Sequence, residues 1–142
     1  MRLTVNLAGA PLAKGRVRFA KATGHTYTPE RTVNYESRLA HAAQVAMAGR
    51  PLLTGPLEVH VEIRMPIPKS KPKKWKADAL AGLIRPTKKP DADNFAKMLD
   101  ALNLIVWEDD SQIVDLRTVK FYHEAPAFIA TVSELQTEGV FG

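Results

Sequence analysis

The residues with the most chemical potential lie in one span, Asp91-Ala92-Asp93-Asn94-Phe95-Ala96-Lys97, followed by Trp107-Glu108-Asp109-Asp110. Magnesium needs oxygen donors near octahedral geometry, accepts only a few carboxylates, and leaves its other positions to water and substrate phosphate. Asp91 and Asp93, with an aspartate of the Asp109-Asp110 turn, supply such a set if they converge. With a phosphodiester in place, one or two ions of this kind orient and deprotonate a water, then stabilise charge on the attacking and leaving oxygens. Lys97, one helical turn after Asp93, would offer positive charge to the phosphate oxygens in the transition state.

Each of these residues also has an ordinary structural use. Aspartate is a preferred helix cap and turn residue, so Asp-x-Asp ahead of a helix is common. Lys97 is equally an i, i+4 partner for Asp93, worth roughly 0.2 to 0.5 kcal/mol in isolated helices. Asp100 is either an orienting group for Lys97 or a metal-bound water, or simply an ion-pair partner of Lys97. Asp109 reads as a turn residue, Glu108 less as a ligand still, Trp107 as core, and Gln112 has no role that its neighbours suggest.

Other chemistries find no support. The chain has no cysteine, which excludes disulfides, thiolate zinc sites and cysteine nucleophiles. His25, His41, His60 and His123 are scattered without ligand spacing. In Gly9 to Gly15 the lysine precedes the second glycine and no Gly-Lys-Ser/Thr follows, so a phosphate loop is absent. Ser37, Ser70, Ser111 and Ser133 stand in no nucleophile-elbow sequence.

A net charge of +5 over 142 residues suggests a polyanionic partner, and its distribution is more telling than its sum. From Arg64 to Lys89 the chain is basic, with Asp78 its one acid; from Asp91 to Asp115 it is acidic, with Lys97 its one base. Three loop groups, Lys14, Arg16 and Arg18, then Lys69, Lys71, Lys73, Lys74 and Lys76, then Lys88 and Lys89, are candidate phosphate contacts. Together they would concentrate nucleic acid beside an acidic site that otherwise repels it. Singly, each is as well explained by solubility. Met1 to Leu7 lacks a signal peptide's apolar stretch, and no run of about 18 apolar residues offers a membrane span, so the expected setting is the cytoplasm.

These groups need elements to hold them. Leu3, Val5 and Leu7 alternate with Thr4 and Asn6, which predicts a strand. Lys14 to Gly24 reads as a loop or loose hairpin. Thr28-Pro29-Glu30 predicts a helix start with Thr28 as cap and Pro29 at the first helical position, and Tyr35, Leu39, Ala42, Ala43 and Ala46 carry the helix over 29–48 to a stop at Gly49. Leu57, Val59, Val61, Ile63 and Met65 alternate with Glu58, His60, Glu62 and Arg64 in the clearest strand of the chain. The lysine-rich span after it reads as an exposed, mobile loop with a short helix around 75–83. Beyond Pro90, Asp93 or Asn94 would cap a helix whose Phe95, Met98, Leu99 and Leu102 face inward while Asp93, Lys97 and Asp100 share the outer side. Two strands follow, Ile113 to Tyr122 and Phe128 to Val132. This order predicts an α+β fold, a single domain over 1–142 with a mixed sheet of about four strands covered by two or three helices.

Lys89-Pro90-Asp91-Ala92-Asp93-Asn94-Phe95-Ala96-Lys97, Leu99-Asp100-Ala101-Leu102-Asn103 and Val106-Trp107-Glu108-Asp109-Asp110-Ser111-Gln112-Ile113 resemble the signature of the RusA family of Holliday junction resolvases. Lys14-Gly15-Arg16-x-Arg18 and Tyr27-Thr28-Pro29 resemble the N-terminal part of its phage and prophage members. The resemblance implies a homodimeric, magnesium-dependent endonuclease, with manganese as a substitute, that places paired symmetric nicks in four-way DNA junctions within a bacterial or phage-infected cell. It carries the functional aspartates onto Asp91, Asp93 and Asp110 and the functional lysine onto Lys97. One spacing departs: the family pattern often has three residues between this lysine and the next aspartate, whereas Lys97-Met98-Leu99-Asp100 has two. On an α-helix that deletion turns everything after Met98 by about 100 degrees. Two other readings stay open on the residues alone: a DNA-binding accessory protein whose acids only cap and solvate, and another metal-dependent phosphoryl or nucleotidyl transferase.

Overall fold

A computed structural model describes residues 2–15 and 18–135 of the chain. The alternating N-terminal segment forms β1 (Arg2–Ala8), and the loop after it carries a small hairpin, β2 (Arg18–Ala20) with β3 (His25–Tyr27). Helix α1 (Glu30–Met47) follows, then strand β4 (Leu57–Met65) and helix α2 (Lys73–Leu80). A five-residue helix, α3 (Ala92–Ala96), runs into a 3₁₀ helix (Lys97–Leu102), and a short 3₁₀ turn (Asp110–Gln112) leads into β5 (Ile113–Tyr122) and β6 (Ala127–Glu134).

Strands β1, β6, β4 and β5 lie in that order in one mixed sheet. Strand β6 is antiparallel to both of its neighbours, whereas β4 and β5 are parallel. Register brings the apolar residues into rows: Leu3, Val132 and Val59 stand side by side, as do Val5, Ala130 and Val61. Helix α1 lays Tyr35, Leu39, Ala43 and Met47 on this face, and Phe95, Met98, Leu99 and Leu102 complete the core, which also takes in Val106 and Trp107. The expected α+β domain with a four-stranded mixed sheet is therefore present.

Parallel strands cannot be joined by a hairpin; they need a crossover of a dozen or more residues. The connection from Met65 to Ile113 is that crossover, and every predicted acidic site residue lies on it. It leaves the far end of β4 and travels back along β5. Trp75 packs edge-on against Tyr122 with ring centroids 5.4 Å apart, and Lys71 sits 5.1 Å above the Trp75 ring. Ala79 of α2 is buried. The span expected to be a mobile loop is thus a helix-bearing strap anchored by an aromatic pair, and its helix begins at Lys73 rather than Trp75.

Local chemistry corrects two further expectations. Pro29 itself is the residue ahead of α1, in extended conformation, and no side chain caps this helix; the Pro29 carbonyl accepts from Thr32 and Val33 N–H instead. At the other end the chain turns left-handed one residue before Gly49, with Ala48 at φ 50 and Gly49 at φ 80.

Phe95 is 1% exposed beneath the acidic segment, so Phe95→Ala removes core contacts at the root of the site. The expected loss is about 3–5 kcal/mol in urea unfolding. A loss under about 1 kcal/mol would show that α3 is not held down by this side chain.

Candidate active site

Asp91 is extended, at φ −70 and ψ 154, and its carbonyl accepts the first helical hydrogen bonds, from Asn94 and Phe95 N–H at 3.1 and 3.3 Å. Neither Asp93 nor Asn94 caps α3, and the Asp91 side chain makes no capping bond. The helix is held instead by burial of Phe95 and Ala96, which leaves the carboxylates of Asp91 and Asp93 facing solvent.

From Lys97 the winding tightens to 3₁₀, with three residues per turn, so side chains at i and i+3 eclipse. Asp100 therefore stands in line with Lys97, and the 100-degree turn expected from the short spacing does not arise. The expected common face of Asp93, Lys97 and Asp100 is seen. Lys97 Nζ lies 3.7 Å from Asp93 Oδ2 and donates at 3.3 Å to Asn94 Oδ1. Both contacts are long and exposed, and such pairs contribute little, roughly 0 to 1 kcal/mol.

Across from this face, Asp109 opens the 3₁₀ turn in a reciprocal cap. Its carboxylate accepts from Ser111 N–H at 3.1 Å, while Gln112 Oε1 accepts from the Glu108 and Asp109 N–H groups at 3.0 and 3.2 Å. The Gln112 amide also donates to the Leu53 and Gly55 carbonyls at 3.1 and 3.2 Å. This staples the turn carrying Asp110 to the approach of β4. Just beyond, β5 has a bulge: Leu57 pairs with Ile113 but Glu58 with Asp115.

Asp93, Lys97, Asp100 and Asp110 line one cavity of about 240 Å³ whose apolar wall includes Ile113 and Leu116. Lys14 reaches in from the loop after β1, its Nζ 2.8 Å from Asp100 Oδ2, and its own N–H donates to the Asn94 carbonyl. Asp110 faces the Asp100 carboxylate; hydrogen bonding to Asp100, partial burial and the Asp100 charge push Asp110 up to about 6. Burial opposes the charge on Asp100, but hydrogen bonds from Asp110 and Lys14 outweigh it and hold Asp100 below the usual carboxylate range. The pair with Asp100 raises Lys14 in turn. Hydrogen bonds from Ser111 hold Asp109 low.

Not everything expected converges. Asp91 is not among the cavity's lining residues, and among the described residues no three acidic or histidine side chains gather closely enough to clasp an ion. Asp91 is still extended while Asp93 is already in the helix. The donor set is nonetheless all oxygen, and magnesium commonly takes one or two carboxylates with water and phosphate completing its shell. Asp93 and Asp110, facing one cavity, fit that smaller demand.

The basic groups part company. Lys14 is engaged with Asp100 at the rim of the cavity. Arg16 lies outside the described residues, and Arg18 opens β2 with its side chain likewise outside them. Lys69, Lys71, Lys73 and Lys74 are exposed and Lys76 half-buried on the strap, while Lys88 and Lys89 are exposed just ahead of Asp91.

Two positioning residues escape a reading of local sequence. One is Gln112. The other is Lys120, which projects from β5 and donates at 3.0 and 2.9 Å to the Lys88 and Pro90 carbonyls, tying down the backbone that delivers Asp91. Replacing Gln112 by alanine strands two carbonyls and two N–H groups around the Asp110 turn. The expected cost is about 1–3 kcal/mol in denaturant unfolding, since groups left unsatisfied carry their full desolvation penalty. A Gln112→Ala protein as stable as the parent would show that water replaces the amide without loss.

Against this geometry the relatives are informative. The family model described as Endodeoxyribonuclease RusA matches residues 8–133, a span holding both walls of the cavity, the strap and Lys120. The uncharacterized protein YqaN of Bacillus subtilis (strain 168) is 40% identical over 134 residues, covering 89% of this chain and 92% of that protein. No helix among the described residues is long and apolar enough to cross a membrane. A match over three of the four sheet strands, the crossover and the acidic cavity establishes the lineage: the chain belongs to the RusA endodeoxyribonuclease family.

Proposed function

We propose that this protein is a magnesium-dependent endonuclease that resolves four-way DNA junctions, working as a homodimer in recombination and repair. The observation that carries the reading is the cavity in which Asp93 and Asp110 face each other's walls with Lys97 at the rim, on a chain of this family. Asp93 and Asp110 would hold the ion, with Asp91 joining when substrate arrives. Bound there, magnesium (or manganese) supplies an acidified water and neutralises charge on the phosphate. The chain's own part is positional. Lys97 holds a cation where phosphate oxygens gain charge, Asp100 holds Asp110 in place, and Ile113 and Leu116 give the cavity an apolar wall. Hydrolysis leaves 5′-phosphate and 3′-hydroxyl ends. A junction needs cuts in two opposing strands, which a two-fold pair of identical sites provides.

The strap lysines serve as phosphate contacts that offset the acidity of the cavity. Branch geometry rather than base sequence is what such contacts read.

The test offers synthetic four-way junctions, linear duplex and single strands to the purified protein, with and without magnesium. Paired nicks in the junction alone, dependent on metal and lost by about 100-fold or more in Asp93→Asn, are expected. Junction binding without nicking in the presence of metal would refute the reading. A second measurement addresses the strap: replacing Lys71, Lys73 and Lys74 with alanine should reduce the slope of log affinity against log salt by about 2 to 3. An unchanged slope would return these lysines to a role in solubility.

A further inference from the structure

A second cavity, of about 280 Å³, opens on the other side of the loop that carries Lys14. Pro11 and Leu12 form one wall; Arg31, Asn34, Tyr35 and Arg38 form the other. The four helix residues stand at i, i+3, i+4 and i+7 on α1 and so share a face. No acidic side chain lines this cavity, and among the described residues neither arginine is in an ion pair. The Arg38 guanidinium lies 5.8 Å from the centre of the Tyr35 ring, over the backbone of Gly9, where a Cβ would stand 3.9 Å from Nη2.

Tyr35 is 5% exposed, and its hydroxyl, closed off from solvent, has only the Leu12 backbone N–H beside it. Burial pushes this phenol up to about 12, against a smaller opposing pull from the nearby Leu12 backbone and Arg38, so it stays neutral under ordinary conditions. Two exposed guanidiniums without an anion, with the Asn34 amide on the same helix face, suit a group with several anionic oxygens.

We infer that Arg31, Asn34 and Arg38, on the face of α1 floored by Tyr35, form a binding site for a backbone phosphate of the DNA substrate, apart from the acidic cavity. This rests on the nuclease reading above for the identity of the polyanion. Proximity supports it: Leu12 and Lys14 are two residues apart, so their Cα atoms are at most about 7 Å from each other, and Lys14 already touches Asp100. One loop thus borders both cavities. A strand gripped here would be led toward Asp93 and Asp110.

The test measures junction binding in the Asp93→Asn background, so that cleavage is not needed for a signal; failure of the nuclease reading would show separately, as wild type that binds without nicking. Replacing Arg31 and Arg38 together with glutamine should weaken binding roughly tenfold and lower the salt slope by about 1.8, or 0.9 for each phosphate that is no longer neutralised. Arginine variants with a normal melting transition, unchanged affinity and unchanged salt slope would overturn the proposal. So would parent protein that fails to bind the junction. Inorganic phosphate titrated alone is the remaining arm: saturation at micromolar levels without competition against DNA would assign the cavity to a free phosphate and overturn the DNA reading.

Discussion

The parallel pairing of β4 with β5 is the constraint on which the rest of the structure depends. It forces the chain to leave one end of the sheet and return to the other before it can form its next strand. The return path must cross beside β5, whose inward row is Leu116, Thr118, Lys120 and Tyr122 rather than an apolar series. Three of these meet different parts of the crossover: Tyr122 receives Trp75, Lys120 binds the Lys88 and Pro90 carbonyls, and Leu116 floors the acidic cavity. The site is built along an edge strand because the topology brings the connection there.

Charge follows from the same route. A cavity with three aspartates would repel itself, and the fold answers locally rather than by distance. Asp110 holds its proton more readily beside Asp100, Lys14 neutralises Asp100 from a loop 86 residues away in sequence, and Asp93 has only a loose partner in Lys97. The exposed basic strap stands outside this network. Cationic groups bound tightly to the acids would be poor phosphate contacts; separating the two sets keeps both usable.

What could be read from sequence was whatever depends on periodicity. Strands β1 and β4 announce themselves by alternation, and α1 by the recurrence of Tyr35, Leu39 and Ala43, because burial of one face needs only neighbours at fixed spacing. Of the ordered acidic motif, Asp93, Lys97 and Asp110 line one cavity, whereas Asp91 does not. What could not be read was any role fixed by a remote partner. Gln112 matters through the Leu53 and Gly55 carbonyls, Lys120 through those of Lys88 and Pro90, and Lys14 through Asp100. Thr28 failed as a cap for a different reason: its chemistry suits the task, but the helix begins at Glu30 with Pro29 ahead of it, one residue too late.

The short spacing from Lys97 to Asp100 shows how backbone winding can absorb a change in sequence. On an α-helix, residues three apart are about 60 degrees out of line and those four apart about 40 degrees, so losing one residue would swing the aspartate to the other side of the lysine. On a 3₁₀ helix residues three apart coincide. The chain winds as 3₁₀ over Lys97–Leu102, which keeps Asp100 at the cavity and within reach of both Lys14 and Asp110. Met98, Leu99 and Leu102 still reach the core, at 3% exposure or less, because three-residue and four-residue periods barely differ over two turns. The tighter winding has poorer hydrogen-bond geometry, and it persists here because the core holds one side of the segment and the Lys14–Asp100–Asp110 network holds the other. Site geometry at this point is thus a property of winding and packing together, which residue spacing alone does not encode.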